Sequence, residues 1–485
     1  MSADQSRAPI AEAMRRYAAD GARAYHTPGH KQGLGAHPFL RALITEEGLR
    51  EEVSLMEELD DLHEPHASIA EAEQLAAELY GADAAYFMVN GTTGAIHAML
   101  MAALEPGDTV LIPRNAHRSV TGGIVLAGAH PVYMQPEIDA RLGIAMGVAP
   151  CAVQRAIEEN PDARAVLLVS PTYYGVASDL AAVAEIVHAH DMALLVDEAH
   201  GAHLTFSDAL PQQAIDAGAD MVAQSTHKLL GAMTQGSLLL TRGTRVPRER
   251  VQQAASLLQS TSPNQLLLAS IDIARLQMAE SGRARVGAAC RLAERLRTEI
   301  NAIEGLWCFG RERMGAPGMA GLDVTKLTVN VAGLGMTGVE AERILRYDYR
   351  IACELSDAQN VLFILSYADG AREAEALLGA LKGLAGRKRA GGALPAPRPL
   401  PLVPAQAMTP RAAFFAAKEA VPFEAAEGRT AAEQVLFYPP GIPVLAPGDR
   451  IDAASLAYIA EMKRLGLNVS GAHDATLGTL LVVRA

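Results

Sequence analysis

Between Ile69 and Leu240, short apolar runs alternate with helix-length segments, and this alternation constrains the fold more than any other feature of the chain. The runs "AAYFMVN", "TVLIP", "AVLLVSP", "MALLVDEA", "MVAQS" and "LLLTRG" have strand length. Between them, "IAEAEQLAAELYG", "GAIHAMLMAAL" and "DLAAVAEIVHAHD" carry apolar residues at helical spacing. A strand that is apolar throughout is covered on both faces, so the expected class is α/β, with a mostly parallel sheet between layers of helix. Ligands in such domains bind beyond the carboxyl ends of the strands.

The chain is too long, at 485 residues, for one compact domain. The expected division is an N-terminal arm over 1–35, a large domain over 36–295 and a smaller α+β domain over 296–385. A linker rich in Pro, Gly and basic residues follows over 386–406, then a C-terminal domain over 407–485. No apolar run reaches the roughly 18 residues that a membrane span needs, and the first thirty residues lack the apolar core of a secretory leader. Cys151, Cys290, Cys308 and Cys353 are scattered, which fits free thiols in a reducing cytoplasm and neither a disulfide framework nor structural zinc. A formal net charge of -13 opposes a nucleic-acid surface.

Three local patterns converge on the expected carboxyl edge. In "VNGTTGA", an apolar strand ends at Asn90 and a Gly91-Thr92-Thr93 turn opens a helix, an arrangement that can cradle a phosphate or simply cap the helix. In "LLVDEAHGAH", Asp197 stands where a buried strand ends, placed to pair with a protonated ring nitrogen. The same letters occur in nucleotide-driven helicases, but the chain has no phosphate loop of the G-x-x-x-x-G-K type. His200 and His203 lack the flanking carboxylate of a metal site, and no metal is expected. In "STHKLLGAMTQGS", Lys228 follows a further buried strand, where an unpartnered ammonium would be costly unless a cofactor takes the amine covalently. An aldehyde cofactor needs an amine, a carboxylate for its ring nitrogen and a phosphate cradle, and all three are present.

Eight segments in order, "HTPGHKQG", "ELDDLHEP", "VNGTTGA", "PRNAHRS", "PTYYGVASDL", "VDEAHGAH", "QSTHKLLGAMTQ" and "YPPGIP", resemble the ornithine/lysine/arginine decarboxylase family of pyridoxal 5'-phosphate enzymes, in particular its shorter bacterial members. The resemblance implies fold type I, the aspartate-aminotransferase-like architecture. It implies that Lys228 carries the cofactor as a Schiff base and that Asp197 binds the pyridine nitrogen. Gly91, Thr92, Thr93, Ser225 and His227 would hold the phosphate, and His117 would stack on the ring. His200 stands where larger members carry tryptophan, and Gly236 where a hydroxyl or alanine is common. The "TPGHK" segment, with His30, resembles one that reaches a partner's active site, which implies a homodimer or higher even oligomer with shared sites. The N-terminal wing domain of the larger members is not seen, so their ring-shaped decamers are not implied.

The expected reaction is decarboxylation of a basic amino acid. The proton donor to the α-carbon is left open among His227, His117 and Lys228. Glu354, in "RIACELSDAQN", resembles the family's acidic residue near the distal cation of the substrate, and a surface glutamate is the other reading. The resemblance favours arginine, giving agmatine and carbon dioxide for polyamine biosynthesis. Lysine, ornithine or a related unusual amino acid is the alternative, and a pyridoxal-phosphate transferase is a more distant one.

Overall fold

Seven strands form the central sheet of a computed structural model that describes residues 4–484, except 55, 390, 391, 396, 397, 399 and 438–441. In chain order they are β1 (Ala84–Met88), β2 (Thr109–Pro113), β3 (His130–Met134), β4 (Ala165–Val169), β5 (Ala193–Asp197), β6 (Met221–Gln224) and β7 (Ser237–Thr241). Six coincide with the apolar runs; β3, "HPVYM", carries no comparable run. The spatial order is β1-β7-β6-β5-β4-β2-β3. Only β7 runs against its neighbours, lying antiparallel to both β1 and β6. Because β1 and β6 are each antiparallel to β7, they point the same way, and β2 to β6 are mutually parallel. The ends of β1, β2, β4, β5 and β6 therefore meet at one edge of the sheet.

One apolar cluster fills each face of this sheet. Phe87, Leu111, Val166, Leu194 and Val222 point into one, and Tyr86, Val110, Leu167, Leu195 and Ala223 into the other. The two-residue alternation of a strand explains how a single apolar run supplies both. Helix α1 (Gly91–Ala103) follows β1, α2 (Arg118–Ala127) follows β2, and the four-residue α3 (Thr226–Leu229) follows β6. Gly91 enters α1 at φ +65°, a left-handed conformation that a side chain disfavours, and its N–H donates to Gln235 O at 2.9 Å. Helix α4 (Gln265–Asn301), 37 residues long, runs from the large sheet to the next unit.

That unit is a four-stranded antiparallel sheet of β8 (Trp307–Cys308), β9 (Lys326–Asn330), β10 (Leu355–Ser356) and β11 (Asn360–Ile364), ordered β8-β9-β11-β10. A separate apolar cluster spans it and the ends of its helices. The C-terminal region has its own core, including Val435, Phe437, Ile459 and Leu480. It is fastened to the large domain by a buried ion pair: Arg114 Nη2 lies 2.6 Å from Asp449 Oδ2 and 2.9 Å from Val444 O. Residues 438–441 of "YPPGIP" lie outside the described residues. Among the described residues, no helix is long and apolar enough to cross a membrane.

Candidate active site

The edge where the strands end encloses a cavity of about 320 Å³. Gly91, Thr92, Thr93, His117, Asp197, His200, Ser225, His227 and Lys228 all line it, so these nine candidate residues are brought together. Each arrives by the same device: a buried strand stops, and the first residues of the following turn or helix face the edge. Asn90 caps the main chain of α1 without a side-chain hydrogen bond, which leaves the positive end of a 13-residue helix open to the cavity. Beside it, the buried hydroxyls of Thr92 and Ser225 are in contact, and Thr92 Oγ1 lies 3.0 Å from Ser237 Oγ. Hydroxyls and an uncapped helix start suit a phosphate.

Asp197, 3% exposed, accepts an N–H from Ala199 at 3.1 Å and, among the described residues, forms no ion pair. Burial pushes its carboxyl above the usual range, while Lys228 and the Ala199 N–H pull the other way. A buried carboxylate without a cationic partner fits a ligand that brings a protonated nitrogen. Lys228 Nζ lies 3.0 Å from His200 Nε2 and 5.2 Å from the centre of the Tyr173 ring. Burial lowers the proton affinity of this amine, opposed by Asp197 and Glu354 and reinforced by Lys326. Amine, isolated carboxylate and anion cradle thus fit a phosphorylated pyridine aldehyde.

Burial disfavours the charged form of the three histidines in the cavity. His200 is driven well below its ordinary range by burial and by the neighbouring Lys228. His227 is lowered by burial, although its Nδ1 lies 2.8 Å from Gly236 O. His117 starts α2, accepting the Ser119 N–H at 3.2 Å, and burial first, then Lys228, pushes it to about 4. Since the unfolded chain takes up this proton near pH 6.5, the contribution of His117 to stability is lost as pH falls from there toward about 4. His117→Gln should therefore flatten the acid side of the stability curve by up to about 3 kcal/mol, read from urea melts at pH 7.0 and pH 4.5.

Not every expected residue is gathered. His30 does not line the cavity of its own chain; its Nε2 lies 2.8 Å from Glu52 Oε2, and its Nδ1 accepts the Gly33 N–H at 3.1 Å. Glu354 is exposed and lines a separate cleft on the small domain, yet its charge reaches Lys228. Gly236 has a packing reason: a Cβ there would lie 3.0 Å from Ile271 Cγ1 and from Thr226 Oγ1, so a larger residue crowds the turn that carries Lys228. Sequence reasoning gave no role to Tyr173, whose ring lies 4.1 Å from that of His200, centre to centre. Its signal was the pair of aromatics directly after the β4 end in "SPTYYG". Ile442, from the C-terminal region, also reaches the cavity wall.

Comparison with known proteins agrees with this geometry. The chain matches the Orn/Lys/Arg decarboxylase major domain over residues 8–373 and the C-terminal domain of the same family over 380–480. It is 45% identical to arginine decarboxylase of Halalkalibacterium halodurans, covering 99% of this chain and 98% of that one. It is 42% identical to arginine decarboxylase of Bacillus subtilis over the same shares. Its fold superimposes on the lysine decarboxylase of Francisella novicida with a TM-score of 0.83 and 21% identity, covering 98% of this chain and 81% of that one. The fold is fold type I, as the eight segments imply. On the strength of both matched domains and of near full-length relatives, the chain belongs to the Orn/Lys/Arg decarboxylase family.

Proposed function

We propose that this enzyme decarboxylates L-arginine to agmatine and carbon dioxide with pyridoxal phosphate as cofactor. The observation that carries the reading is the cavity itself: the amine of Lys228 shares it with the buried carboxylate of Asp197 and the uncapped start of α1. Arginine is supported over lysine by the near full-length identity to arginine decarboxylases, against 21% to a lysine decarboxylase. Pyridoxal phosphate supplies, when bound, an electron sink for the pair left on the α-carbon as carbon dioxide departs.

The residues divide the remaining work. Lys228 would carry the cofactor, and its lowered proton affinity favours the nucleophilic free amine. Asp197 would keep the ring nitrogen protonated, because a buried carboxylate stabilises a cation placed against it. Gly91, Thr92, Thr93, Ser225 and His227 would hold the phosphate, and His117 and His200 would flank the ring. The proton for the α-carbon would come from Lys228, His117 or His227, each acting in its protonated form. Glu354 would face the distal cation of the substrate, a role its field at Lys228 supports.

We read the chain as a homodimer or higher even oligomer with shared sites. The stretch around His30 exposes Tyr25, Leu34, Phe39 and Leu43, an apolar surface suited to a second copy. The division at 1–35, 36–295, 296–385, 386–406 and 407–485 is supported by the separate apolar cores of the last two folded units. A cytoplasmic location is supported by four free cysteines. The test is amine and carbon dioxide release from purified protein with pyridoxal phosphate, offered arginine, lysine and ornithine separately. Agmatine from arginine alone is the expected result. Cadaverine or putrescine as the main product would overturn the substrate assignment.

A further inference from the structure

The contact between His200 and Lys228 is built more firmly than a ring that only flanks a ligand requires. His200 follows β5 on a tight turn, which the Gly201 N–H closes onto Glu198 O at 2.8 Å. Glu198 is fully enclosed and accepts Gln224 Nε2 at 2.6 Å and the Ala214 N–H at 2.8 Å. Gln224 ends β6, the strand that leads into α3 and Lys228, so Glu198 ties the turn bearing the imidazole to the segment bearing the amine. Tyr173 packs on the imidazole, with ring centres 4.1 Å apart and planes inclined at 54°. Held in this way, with 4% of the residue exposed, His200 sets Nε2 at 3.0 Å from Lys228 Nζ. Its Nδ1 is buried and has no hydrogen-bond partner among the described residues, so the imidazole directs its hydrogen bonding at the Lys228 nitrogen.

We propose that His200 is a further catalytic residue, which carries a proton through Nε2 from the incoming substrate amine to Lys228 as the two amines exchange on the cofactor. The inference rests on the reading of Lys228 as the amine that holds the cofactor. In that exchange a carbon–nitrogen bond forms to the incoming amine, and the bond to Lys228 breaks with its electron pair left on the Lys228 nitrogen. One proton has to pass from the incoming nitrogen to the departing one. Both nitrogens bond in turn to the same carbon, so an acceptor 3.0 Å from Lys228 Nζ stands beside the path of that proton. Nε2 takes the proton from one nitrogen and gives it to the other, and His200 ends the step as it began. An imidazole with its hydrogen on Nδ1 has the lone pair that this needs. Burial and the Lys228 charge disfavour the charged form, and an imidazolium would bury a charged N–H at Nδ1 with no acceptor, so the proton is held only in passing.

The experiment follows the cofactor absorbance after rapid mixing of the holoenzyme with arginine at saturating cofactor, comparing wild type with His200→Phe and His200→Ala. Phenylalanine keeps a ring against Tyr173 without a nitrogen, and alanine leaves room for free imidazole. His200→Phe is expected to slow the exchange about 100-fold, and free imidazole to raise the rate of His200→Ala at least about tenfold, in proportion to its concentration. An exchange in His200→Phe within about threefold of wild type overturns the proposal, and so does a slow His200→Ala that imidazole leaves slow. Should neither variant fold, the wild type decides in heavy water: an exchange slowed about twofold or more supports the proposal, and an unchanged rate overturns it. A wild-type protein with no cofactor band overturns both this inference and the functional reading. A band with ordinary exchange in His200→Phe overturns this inference alone.

Discussion

Replacing Lys228 with alanine is expected to lower agmatine production by at least about three orders of magnitude while leaving the protein folded. The loss follows from the proposed role of this amine, which lines the cavity together with Asp197 and the uncapped start of α1. The fold should survive because Lys228 is only partly buried and, among the described residues, forms no ion pair; it contacts His200 and the Tyr173 ring. Asp197 should respond as well. Lys228 is the first influence opposing the upward push of burial on that carboxyl, so its removal lets the carboxyl rise further. Borohydride reduction of the loaded wild type, followed by peptide mass analysis, should mark the peptide containing Lys228, and the alanine variant should give no such mark. Retention of a tenth of the activity by the variant would sink the assignment of the amine.

Much of this site was legible because its residues sit where buried strands stop. Asn90, Asp197 and Ser225 each stand at the end of a fully buried strand, and a parallel sheet sends all such ends to one edge. What local pattern could not give is contact between distant segments. Lys326 and His203 share the carboxylate of Asp323 across two domains, and nothing near either in sequence announces the other. Burial is likewise invisible to local composition. The acidic stretch from Glu46 to Glu64 has the composition of a solvated face, yet Asp60 is buried, and its carboxylate accepts the N–H groups of Ala67 and Ile69 at the start of a helix. Composition records a charge but not whether backbone donors surround it. His30, which the resemblance sends toward a partner's active site, is held within its own chain by Glu52.

Breaking the buried pair between Arg114 and Asp449 should destabilise the protein by about 3 to 5 kcal/mol for either single replacement, Arg114→Met or Asp449→Leu. The pair is enclosed, with side-chain exposures of 3% and 0%, and burial pushes the Asp449 carboxyl upward against the pull of Arg114. Each single variant strands one charge in a low-dielectric seam. Arg114 would keep Val444 O and the Tyr133 ring face, and Asp449 the Ala446 N–H, and none of these is a counter-charge. The double variant Arg114→Met/Asp449→Leu strands nothing and should recover most of the loss, a coupling that a double-mutant cycle in urea measures directly. Activity should separate from stability in that double variant. Arg114 precedes His117 in the loop after β2, and Asp449 follows the strand whose Ile442 reaches the cavity wall. Stability recovered without activity would mean that the pair sets the position of His117 and Ile442 through its direction, which an apolar contact lacks. Stability and activity recovered together would mean that packing alone holds the C-terminal region against the site.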